Sequence, residues 1–292
     1  MLLTSMLNLD IPAHLQRAFE QRALSVNAIK DGDSAFIGKT LHAGRGAVVK
    51  CIKIDRHIQA ERYAFNAMRS REGRGKEHIV KLYDEFPVNE QHCFVLEDIG
   101  GCTLDKYAKD KSSETKASPL RIIFHKLIRG VIYLHSIGVA HGDIKPQNII
   151  VKEVGALFWR DVDVRIIDFD HAKPANTPST SYGTLPYRPP ESFQFEPTDP
   201  KPYDTWTIGA TLYEAMSGRL PFSKLLNERK DPESFTLRMR QLSPRKAHAD
   251  LFPVCEEYHD NMRYGALTDV VEELMAFSPK ERPSLADVLG RL

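Results

Sequence analysis

Residues 24–99 carry short apolar runs that alternate with polar positions, interrupted by one segment of helical periodicity. The runs ALSVNAI, AFIGKTL, AVVKCIKI, HIVKLYDEF and QHCFVLEDI are rich in β-branched and aromatic residues, a composition typical of strands. Gly44 and Gly46 indicate a turn between the second and third runs,. After the third run, DRHIQAERYAFNAM predicts a helix over residues 55–68,. This part of the chain is therefore expected to be strand-rich with a single helix.

From about residue 100 onward the apolar positions follow a helical period. In residues 118–138, the apolar side chains that share one helical face are Ile122, Ile123, Leu127, Val131 and Leu134. Such a stripe predicts an amphipathic helix that packs on a core. The Pro-rich residues 192–202 predict a loop within this part rather than a domain linker,. The expected fold class is α+β, with the strands first and the helices after them.

Residues 1–23 predict a helical extension ahead of the strands. Ile11, Leu15, Phe19 and Leu24 recur at near-helical spacing,. The extension is expected either to pack on the strand-rich part or to serve regulation or partner binding.

Composition narrows the classes of function. The chain has 292 residues, 42% of them hydrophobic and 27% charged, which is ordinary for a globular domain. A net charge of +1 gives no overall field that would attract nucleic acid, so no nucleic-acid partner is expected. No uncharged run of about 18 residues occurs, and the N-terminal MLLTSMLNL lacks the basic start of a secretory signal,. We therefore expect no membrane association and no secretion.

The four cysteines are expected to be reduced thiols. Cys51, Cys93, Cys102 and Cys255 lie far apart and lack the paired spacing of a metal site or a redox dithiol,. Reduced thiols are typical of an intracellular protein. The expected location is the cytoplasm first, with the nucleus left open.

Two neighbouring segments carry the chemistry of the chain: HGDIKPQNII at residues 141–150 and RIIDFD at residues 165–170. Asp143 can orient and deprotonate an alcohol, and Lys145 can offset charge on a transferred phosphoryl group. Asn148 and Asp168 offer the hard oxygen atoms that Mg²⁺ prefers. This order of residues predicts a site that holds a nucleotide triphosphate through metal ions and presents a hydroxyl to its end phosphate.

These segments resemble the signatures of the eukaryotic-type protein kinases. The catalytic-loop pattern H-R-D-x-K-x-x-x-N is present in divergent form at residues 141–148, and D-F-G is present as D-F-D at residues 168–170,. GTLPYRPPE at residues 183–191 is similar to the end of an activation segment, and YDTWTIGATLYEAMSGRLPF at residues 203–222 to the central helix of the large lobe. The resemblance covers residues 24–292, nearly the whole chain.

The resemblance implies a bilobal fold. Its parts would be the helical extension at 1–23, a small lobe at 24–99 with an antiparallel β-sheet and one helix, and a larger, mainly helical lobe at 100–292. ATP and Mg²⁺ would bind between the two lobes, and the partner would be a protein substrate.

The resemblance also implies roles for single residues. In the large lobe, Asp143 would be the catalytic base and Lys145 its partner, while Asn148 and Asp168 would bind metal and ATP. Lys145 and Thr184 are typical of the serine/threonine kinases. The structural or regulatory positions carried over from the family are His141, Phe169, Thr184, Glu191, Asp204 and Arg282, with Arg282 expected to pair with Glu191.

In the small lobe, the resemblance calls for a strand lysine paired with a helix glutamate. Lys50 and Lys53 both fit the strand, and we favour Lys50 because it leaves ten residues before Glu61, enough for a turn and the start of a helix. Glu97 and Ile99 would offer backbone groups to the adenine base. Phe65, Leu82, His141 and Phe169 would form a hydrophobic column that couples the lobes.

Three departures from the family pattern bear on activity. The loop IKDGDS holds one glycine, Gly32, where the family has G-x-G-x-x-G, which weakens the expected grip on the triphosphate. Gly142 replaces an arginine that in many members binds an activation-loop phosphate, so phosphorylation there is not expected to be required. Asp170 replaces a glycine, and the backbone cost of this change predicts a stiffer segment.

The reading favoured by these residues is a serine/threonine protein kinase that uses Mg·ATP. Two alternatives stay open at this point. One is a pseudokinase that binds partners or ATP without turnover, which the poor glycine loop favours. The other is a small-molecule phosphotransferase, whose H-G-D and I-D-F-D signatures are close to those around Asp143 and Asp168. Lys145, the segment at 183–191 and the helix at 203–222 favour the protein kinase, because together they would build a platform for a peptide.

Overall fold

The computed structural model describes residues 9–111, 113–156, 159–223, 225, 231–242 and 265–292. The first eight residues of the expected N-terminal extension, and Cys255, lie outside the described residues. Within the described part the chain forms a strand-rich N-terminal unit followed by a larger helical unit, as the pattern of apolar positions predicts.

The N-terminal unit is built on a five-stranded antiparallel sheet with the order β1-β2-β3-β5-β4. Its strands are β1 (Asn27–Asp31), β2 (Ala35–His42), β3 (Arg45–Ile52), β4 (Leu82–Val88) and β5 (Gln91–Glu97). The β2–β3 hairpin turns at Ala43 and Gly44, which both have positive φ. The expected run HIVKLYDEF is a strand only from Leu82; before it, Ile79 makes an isolated parallel bridge to Ile166.

Helix α2 (Asp55–Arg69) follows β3 and buries one face. The buried positions recur three or four residues apart, as a helix that packs on a sheet requires, and they are His57, Ile58, Glu61, Ala64, Phe65 and Met68. Glu61 is an acidic residue in this apolar row with no exposed surface. A buried carboxylate needs a charged or hydrogen-bonding partner, and this one lies at the candidate site described below.

The extension contributes helix α1 (Ala13–Glu20), shorter than the region of helical spacing. Leu15 and Phe19 are buried and pack in a second core, separate from the core shared by α2 and the helical unit. The Phe19 ring lies 5.9 Å from that of Phe36 and 6.5 Å from that of Phe86. Because both partners belong to the sheet, α1 packs on the strand-rich unit, which was one of the two expectations for the extension.

The C-terminal unit surrounds the long helix α4. Its helices are α3 (Leu104–Lys109), α4 (Ser113–Ser136), α5 (Pro200–Ser217), α6 (Pro232–Arg240), α7 (Gly265–Leu274) and α8 (Leu285–Leu289). Its short strands are β6 (Cys102–Thr103), β7 (Val139–Ala140), β8 (Ile149–Ala156), β9 (Trp159–Ile166) and β10 (Lys173–Pro174). Helix α5 is buried almost throughout, with Trp206 completely enclosed. The loops that carry the candidate site lie between β7 and β8 and directly after β9.

The expectation of four reduced cysteines is wrong for two of them. The register of β3 against β5 places Cys51 opposite Cys93, with Cα atoms 3.9 Å apart, and the structure joins them in a disulfide. The pairing arises from strand register over a separation of 42 residues, which spacing along the chain does not reveal. Cys102 is a free thiol.

Among the described residues, none of the helices combines the length and apolar composition needed to cross a bilayer.

Candidate active site

Asp204, a fully buried residue of α5, anchors the loop between β7 and β8. The backbone N–H groups of His141 and Gly142 each donate to its carboxylate at 2.9 Å. Burial alone would raise the pKa of Asp204, but hydrogen bonds from His135 and this loop lower it below the ordinary aspartate value. Asp204 therefore stays ionised and acts as an anchor for the loop.

Asp143 lies at the centre of a hydrogen-bonded cluster. Its Oδ2 accepts from Lys145 Nζ at 2.6 Å, and its Oδ1 accepts from the Thr184 backbone N–H at 2.7 Å. Lys145 Nζ also donates to Thr184 Oγ1 at 2.7 Å. Asp143 is 3% exposed, and burial opposes its charge; the lysine and the threonine nevertheless keep its pKa below the ordinary aspartate value. An ionised, oriented carboxylate is what alignment of an incoming hydroxyl requires.

The contact between these two loops depends on a glycine in the activation segment. A Cβ at Gly183 would lie 2.4 Å from the Gly142 carbonyl oxygen and 2.5 Å from Asp143 Oδ1. The Gly183 N–H donates to the Tyr203 hydroxyl at 3.0 Å. The absence of a side chain at Gly183 thus allows Thr184 to reach Asp143.

A mostly enclosed lysine joins the two units. Lys50 Nζ lies 2.7 Å from Glu61 Oε2 and 2.5 Å from Asp168 Oδ1. These carboxylates raise the pKa of Lys50 above its ordinary value despite its burial. Burial raises the pKa of Glu61, while the lysine lowers that of Asp168 to about 2. Lys53, the alternative from the sequence, instead contacts Asp31 at 2.6 Å.

Asn148 and Asp168 fit the donor set expected of a magnesium site. Asn148 is 4% exposed and donates through its amide nitrogen to the Asp143 carbonyl oxygen at 2.9 Å, which leaves its amide oxygen as the atom for a cation. The Asp168 side chain is 29% exposed, so its carboxylate is reachable from the cleft. Two hard oxygen donors of this kind suit Mg²⁺ bound to nucleotide phosphates.

Asp168 adopts an uncommon backbone conformation, with φ of 69°. A non-glycine residue in the left-handed region is costly, although aspartate tolerates it better than most. Asp170 is not among the described residues with positive φ. The expected backbone cost of the D-F-D motif therefore does not fall on Asp170, because the motif places its left-handed residue two positions earlier.

Aromatic rings connect the motif to both units. Phe169 is fully buried, and its ring centroid lies 5.6 Å from that of Phe65 and 5.0 Å from that of His141. His141 Nε2 donates to the Ile167 carbonyl oxygen at 3.0 Å, and its Nδ1 accepts from the Asp143 N–H at 3.2 Å. The structure thus brings together three of the four members of the expected hydrophobic column; Leu82 packs at the edge of the same core.

The link between the units contains the residues proposed to face the adenine. Glu97 ends β5, and Ile99 lies in the link that follows it. The Glu97 side chain accepts from Arg165 Nε of β9 at 3.0 Å, a contact across the link that the sequence did not predict. The β1–β2 turn contains Gly32, whose carbonyl accepts from Lys53 Nζ at 2.8 Å.

The expected pair behind the activation segment is present. Arg282 donates from its two terminal nitrogens to Glu191 at 2.7 and 2.8 Å. Its side chain is 1% exposed, and its guanidinium lies 5.0 Å from the Trp206 ring centroid. A bidentate, buried pair of this kind fixes the end of the segment onto α5 and the C-terminal residues.

The sequence analysis missed Lys173, which lies in the space beside Gly142. A Cβ at Gly142 would lie 2.5 Å from the His171 carbonyl oxygen and 2.9 Å from Lys173 Cε. Lys173 Nζ donates to the Ser181 carbonyl oxygen. Lys173 of β10 therefore places a positive charge beside Gly142, the residue that replaces the family's arginine in the catalytic loop. No motif in the sequence could signal it.

The chain has a small sheet lobe joined by one link to a helical lobe, and acidic groups of both lobes surround one lysine. These features define a bilobal kinase fold. The model of the protein kinase domain family matches residues 29–291, and the chain belongs to this family. The crystal structure of the PF14_0431 kinase domain has a similar fold, with a TM-score of 0.65 over 92% of this chain and 94% of that one, at 17% identity. The predicted family and fold class are confirmed.

Curated relatives include serine/threonine kinases and a dual-specificity kinase. The serine/threonine-protein kinase stk11 homolog of Dictyostelium discoideum is 29% identical over 210 residues, covering 70% of this chain and 32% of that protein. The dual specificity protein kinase Ttk of Danio rerio is 26% identical over 226 residues, covering 73% of this chain and 20% of that protein. The chain thus spans about a third or less of the length of these relatives.

Proposed function

We propose that this chain is an ATP-dependent protein kinase that transfers the γ-phosphoryl group of Mg·ATP to serine or threonine hydroxyls of proteins. The observation that carries the proposal is the cluster of Asp143, Lys145 and Thr184. The Asp143 carboxylate accepts hydrogen bonds from Lys145 and from the Thr184 backbone N–H, and Lys145 also donates to the Thr184 hydroxyl. This arrangement suits the positioning that phosphoryl transfer demands.

Each group has a separate role in the proposal. Bound Mg·ATP supplies the phosphoryl group and the metal charge that neutralises it. Asp143 aligns the substrate hydroxyl and accepts its proton, and Lys145 offsets charge on the transferred group. Lys50, held by Glu61, contacts the phosphates, while Asn148 and Asp168 hold the metal ions. Glu97 and Ile99 present backbone groups to the base.

The preference for serine and threonine rests on the Lys145–Thr184 hydrogen bond at 2.7 Å. The lysine two residues after the base and the threonine of the activation segment are the features that resemble serine/threonine kinases. The stk11 homolog is named as such, whereas Ttk is named a dual-specificity kinase. The acceptor class of this chain is therefore a property to measure directly.

Phosphotransfer from [γ-³²P]ATP tests the proposal. Wild type should label proteins of a mixed panel, with phosphoserine and phosphothreonine on acid hydrolysis, and Asp143→Asn should lower the rate by about 100-fold or more. Lys50→Met and Lys53→Met form a matched pair, the first in β3 and the second directly after its last residue. The first should abolish labelling because it removes the contact with Glu61 and Asp168. The second should have a small effect, because the Lys53 ammonium group contacts Asp31 and Gly32 rather than Glu61 or Asp168.

A pseudokinase is the second candidate, favoured by the single glycine of the β1–β2 turn. A folded wild-type protein that binds Mg·ATP without labelling any protein would support it. Labelling of a small alcohol but of no protein would instead indicate a small-molecule phosphotransferase.

An intracellular location, in the cytoplasm first, is part of the same proposal, since the substrate and ATP would be found there. The Cys51–Cys93 disulfide is the observation that opposes it, because such bonds are rare in reducing compartments. Thiol labelling of the protein in its native cell discriminates the two cases. Both cysteines labelled would support the proposal, and an intact bond would contradict it.

A further inference from the structure

Two histidines and an aspartate converge where α2 meets the segment after Phe169. His57 Nδ1 lies 3.6 Å from Asp170 Oδ2, and His171 Nε2 lies 4.0 Å from Asp170 Oδ1. One ligand atom from each of the three side chains lies within 4.8 Å of the others. None of the three is used by the proposed phosphoryl transfer. Asp170 and His171 come from the stretch where this chain departs from D-F-G.

The facing atoms of this cluster lack hydrogen-bond partners. His57 Nδ1 and Asp170 Oδ1 are both buried, and neither has a hydrogen bond in the structure. The side chains of His57 and Asp170 are 11% and 18% exposed. Buried polar atoms without partners are uncommon and costly. A bound cation would satisfy them.

The cluster lies beside a group of charged side chains and is accessible from solvent. The carboxylates of Glu61, Asp168 and Asp170 surround Lys50 on one side, and Arg56, Lys173 and Arg188 are the cations that line the cavity on the other. His57, Asp170 and His171 also line this cavity, which has a volume of about 520 Å³. This cavity gives an ion a path from solvent and leaves room for a water molecule to complete the coordination.

We propose that His57, Asp170 and His171 bind a divalent transition metal ion of the zinc class and thereby clamp α2 to the activation segment. Two imidazoles and one carboxylate are a donor set that suits Zn²⁺ and not Mg²⁺. Ligand atoms around a tetrahedral zinc ion are about 3.3 Å apart. The observed 3.6 and 4.0 Å join the two histidines to different oxygen atoms of Asp170. Because one ligand atom from each of the three residues lies within 4.8 Å of the others, a tetrahedral site requires these separations to shrink by at most about 1.5 Å.

Metal binding by His57 requires the neighbouring Arg56 to move. Arg56 Nε now lies 3.3 Å from His57 Nε2 as a hydrogen-bond donor. When Nδ1 binds a metal ion, Nε2 carries the proton and becomes a donor itself. Arg56 is exposed and can turn to solvent.

The clamp would act on the geometry of the cleft. His57 and Glu61 are one helical turn apart and are both on the buried face of α2, so fixing the first also fixes the second. The metal would therefore hold Glu61 in its contact with Lys50. Metal binding at this site does not depend on the proposed phosphoryl transfer, because a pseudokinase with the same three residues would bind the ion equally.

Co²⁺ is a suitable probe, because tetrahedral sites give it a strong visible absorption. The full chain is titrated with Co²⁺ and then with Zn²⁺ as competitor, in excess Mg²⁺ so that the Asn148–Asp168 site is blocked. We expect one equivalent per chain and displacement by Zn²⁺. His171→Ala and Asp170→Gly should weaken binding by more than about 100-fold, since even losing a group that only orients a ligand costs 10- to 100-fold. Zn²⁺ should slow amide exchange along α2 in the wild type alone.

Two controls make the result specific. His42→Ala removes a histidine of the β2–β3 hairpin and should leave Co²⁺ affinity unchanged. Asp168→Asn should also retain it. The proposal is overturned if wild type binds no Co²⁺, if Asp170→Gly and His171→Ala bind as wild type does, or if Asp168→Asn loses the ion, which would place it at the nucleotide metal site. The Asp170→Gly variant carries the family residue, so its folding is not in question.

Discussion

Lys173 occupies the space that a side chain at residue 142 would need. The lysine lies against Gly142 and holds the Ser181 carbonyl oxygen, and its ammonium group lies 5.6 Å from the Tyr203 ring centroid. The segment that family members often order with a phosphate is here held by a lysine and a backbone carbonyl. Lys173 thus supplies a positive charge beside Gly142, where the catalytic loop itself has no side chain.

The first prediction concerns this lysine. Lys173→Met should lower the rate of phosphotransfer by about 10-fold, because the Ser181 backbone loses its donor and the segment that positions Thr184 loosens. Lys152→Met, an exposed lysine of β8, is the matched control. Phosphatase treatment of wild type should leave the rate unchanged. A rate that collapsed on dephosphorylation would show that the segment depends on a phosphate after all.

The second prediction separates backbone cost from crowding at Gly142. Gly142 and Gly218 both have positive φ, at 78° and 69°, but an added Cβ at Gly218 would meet nothing within 4 Å. Gly218→Ala should cost about 1 kcal/mol of unfolding free energy. Gly142→Ala should cost about 2–4 kcal/mol, because the clash with the His171 carbonyl oxygen adds to the backbone term. Urea denaturation measures both, and equal costs would refute the crowding argument.

The third prediction compares two ion pairs of different burial. Arg282→Ala leaves the Glu191 carboxylate without its buried partner and should cost about 3–5 kcal/mol of unfolding free energy. Arg291 makes a comparable contact with Glu273, 2.5 Å away, at the exposed surface. Arg291→Ala should leave the stability almost unchanged, since solvent screens such pairs. Similar losses for both variants would contradict the role of burial.

The fourth prediction tests the link between β3 and β5. A reductant should lower the unfolding free energy by about 2–4 kcal/mol, because the loop of 42 residues between Cys51 and Cys93 gains freedom in the unfolded chain. Cys102→Ser, which removes a thiol outside the bond, should not change this response. Identical denaturation curves with and without reductant would mean that the bond is not formed in solution.

The fifth prediction is a pH dependence of stability centred on His78. Burial is the main reason that the pKa of this histidine falls to about 4 in the folded chain. The unfolded chain takes up this proton near pH 6.5. The contribution of the neutral His78 to the free energy of unfolding is therefore complete above pH 6.5, and it is lost as the pH falls toward 4. The loss should reach roughly 2 kcal/mol, allowing for solvent screening. In His78→Gln this part of the pH dependence should disappear; an unchanged slope would assign it to another group.

The parts of the site that the sequence predicted are local in the chain. Asp143, Lys145 and Asn148 lie on one loop, and the resemblance to the family implied that they face one cleft. Long-range pairs were predictable only where the family pattern supplied them, as for Glu191 and Arg282. The presence of the strands, of α2 and of the amphipathic helix α4 followed from periodicity. The strand order was not predicted, and several bounds differ, as at the late start of β4 and the shorter α1.

The parts that escaped prediction depend on register or on packing between distant elements. The Cys51–Cys93 bond follows from how β3 and β5 align, and a shift of the register would remove it. Lys173 reaches Gly142 only because β10 pairs with β7. The sequence distinguishes Asp170 only as the replacement of a glycine, and its approach to His57 depends on the position of α2.

Helix α1 changes what the sheet of the small lobe can bind. Leu15 and Phe19 cover one face of the sheet while α2 covers the other, so the sheet is the middle layer of a three-layer stack. A protein that docked on the α1 side would have to displace or imitate this helix. The eight-residue helix α1 would therefore compete with any protein that binds this face of the sheet. Such a protein could bind only after α1 had detached.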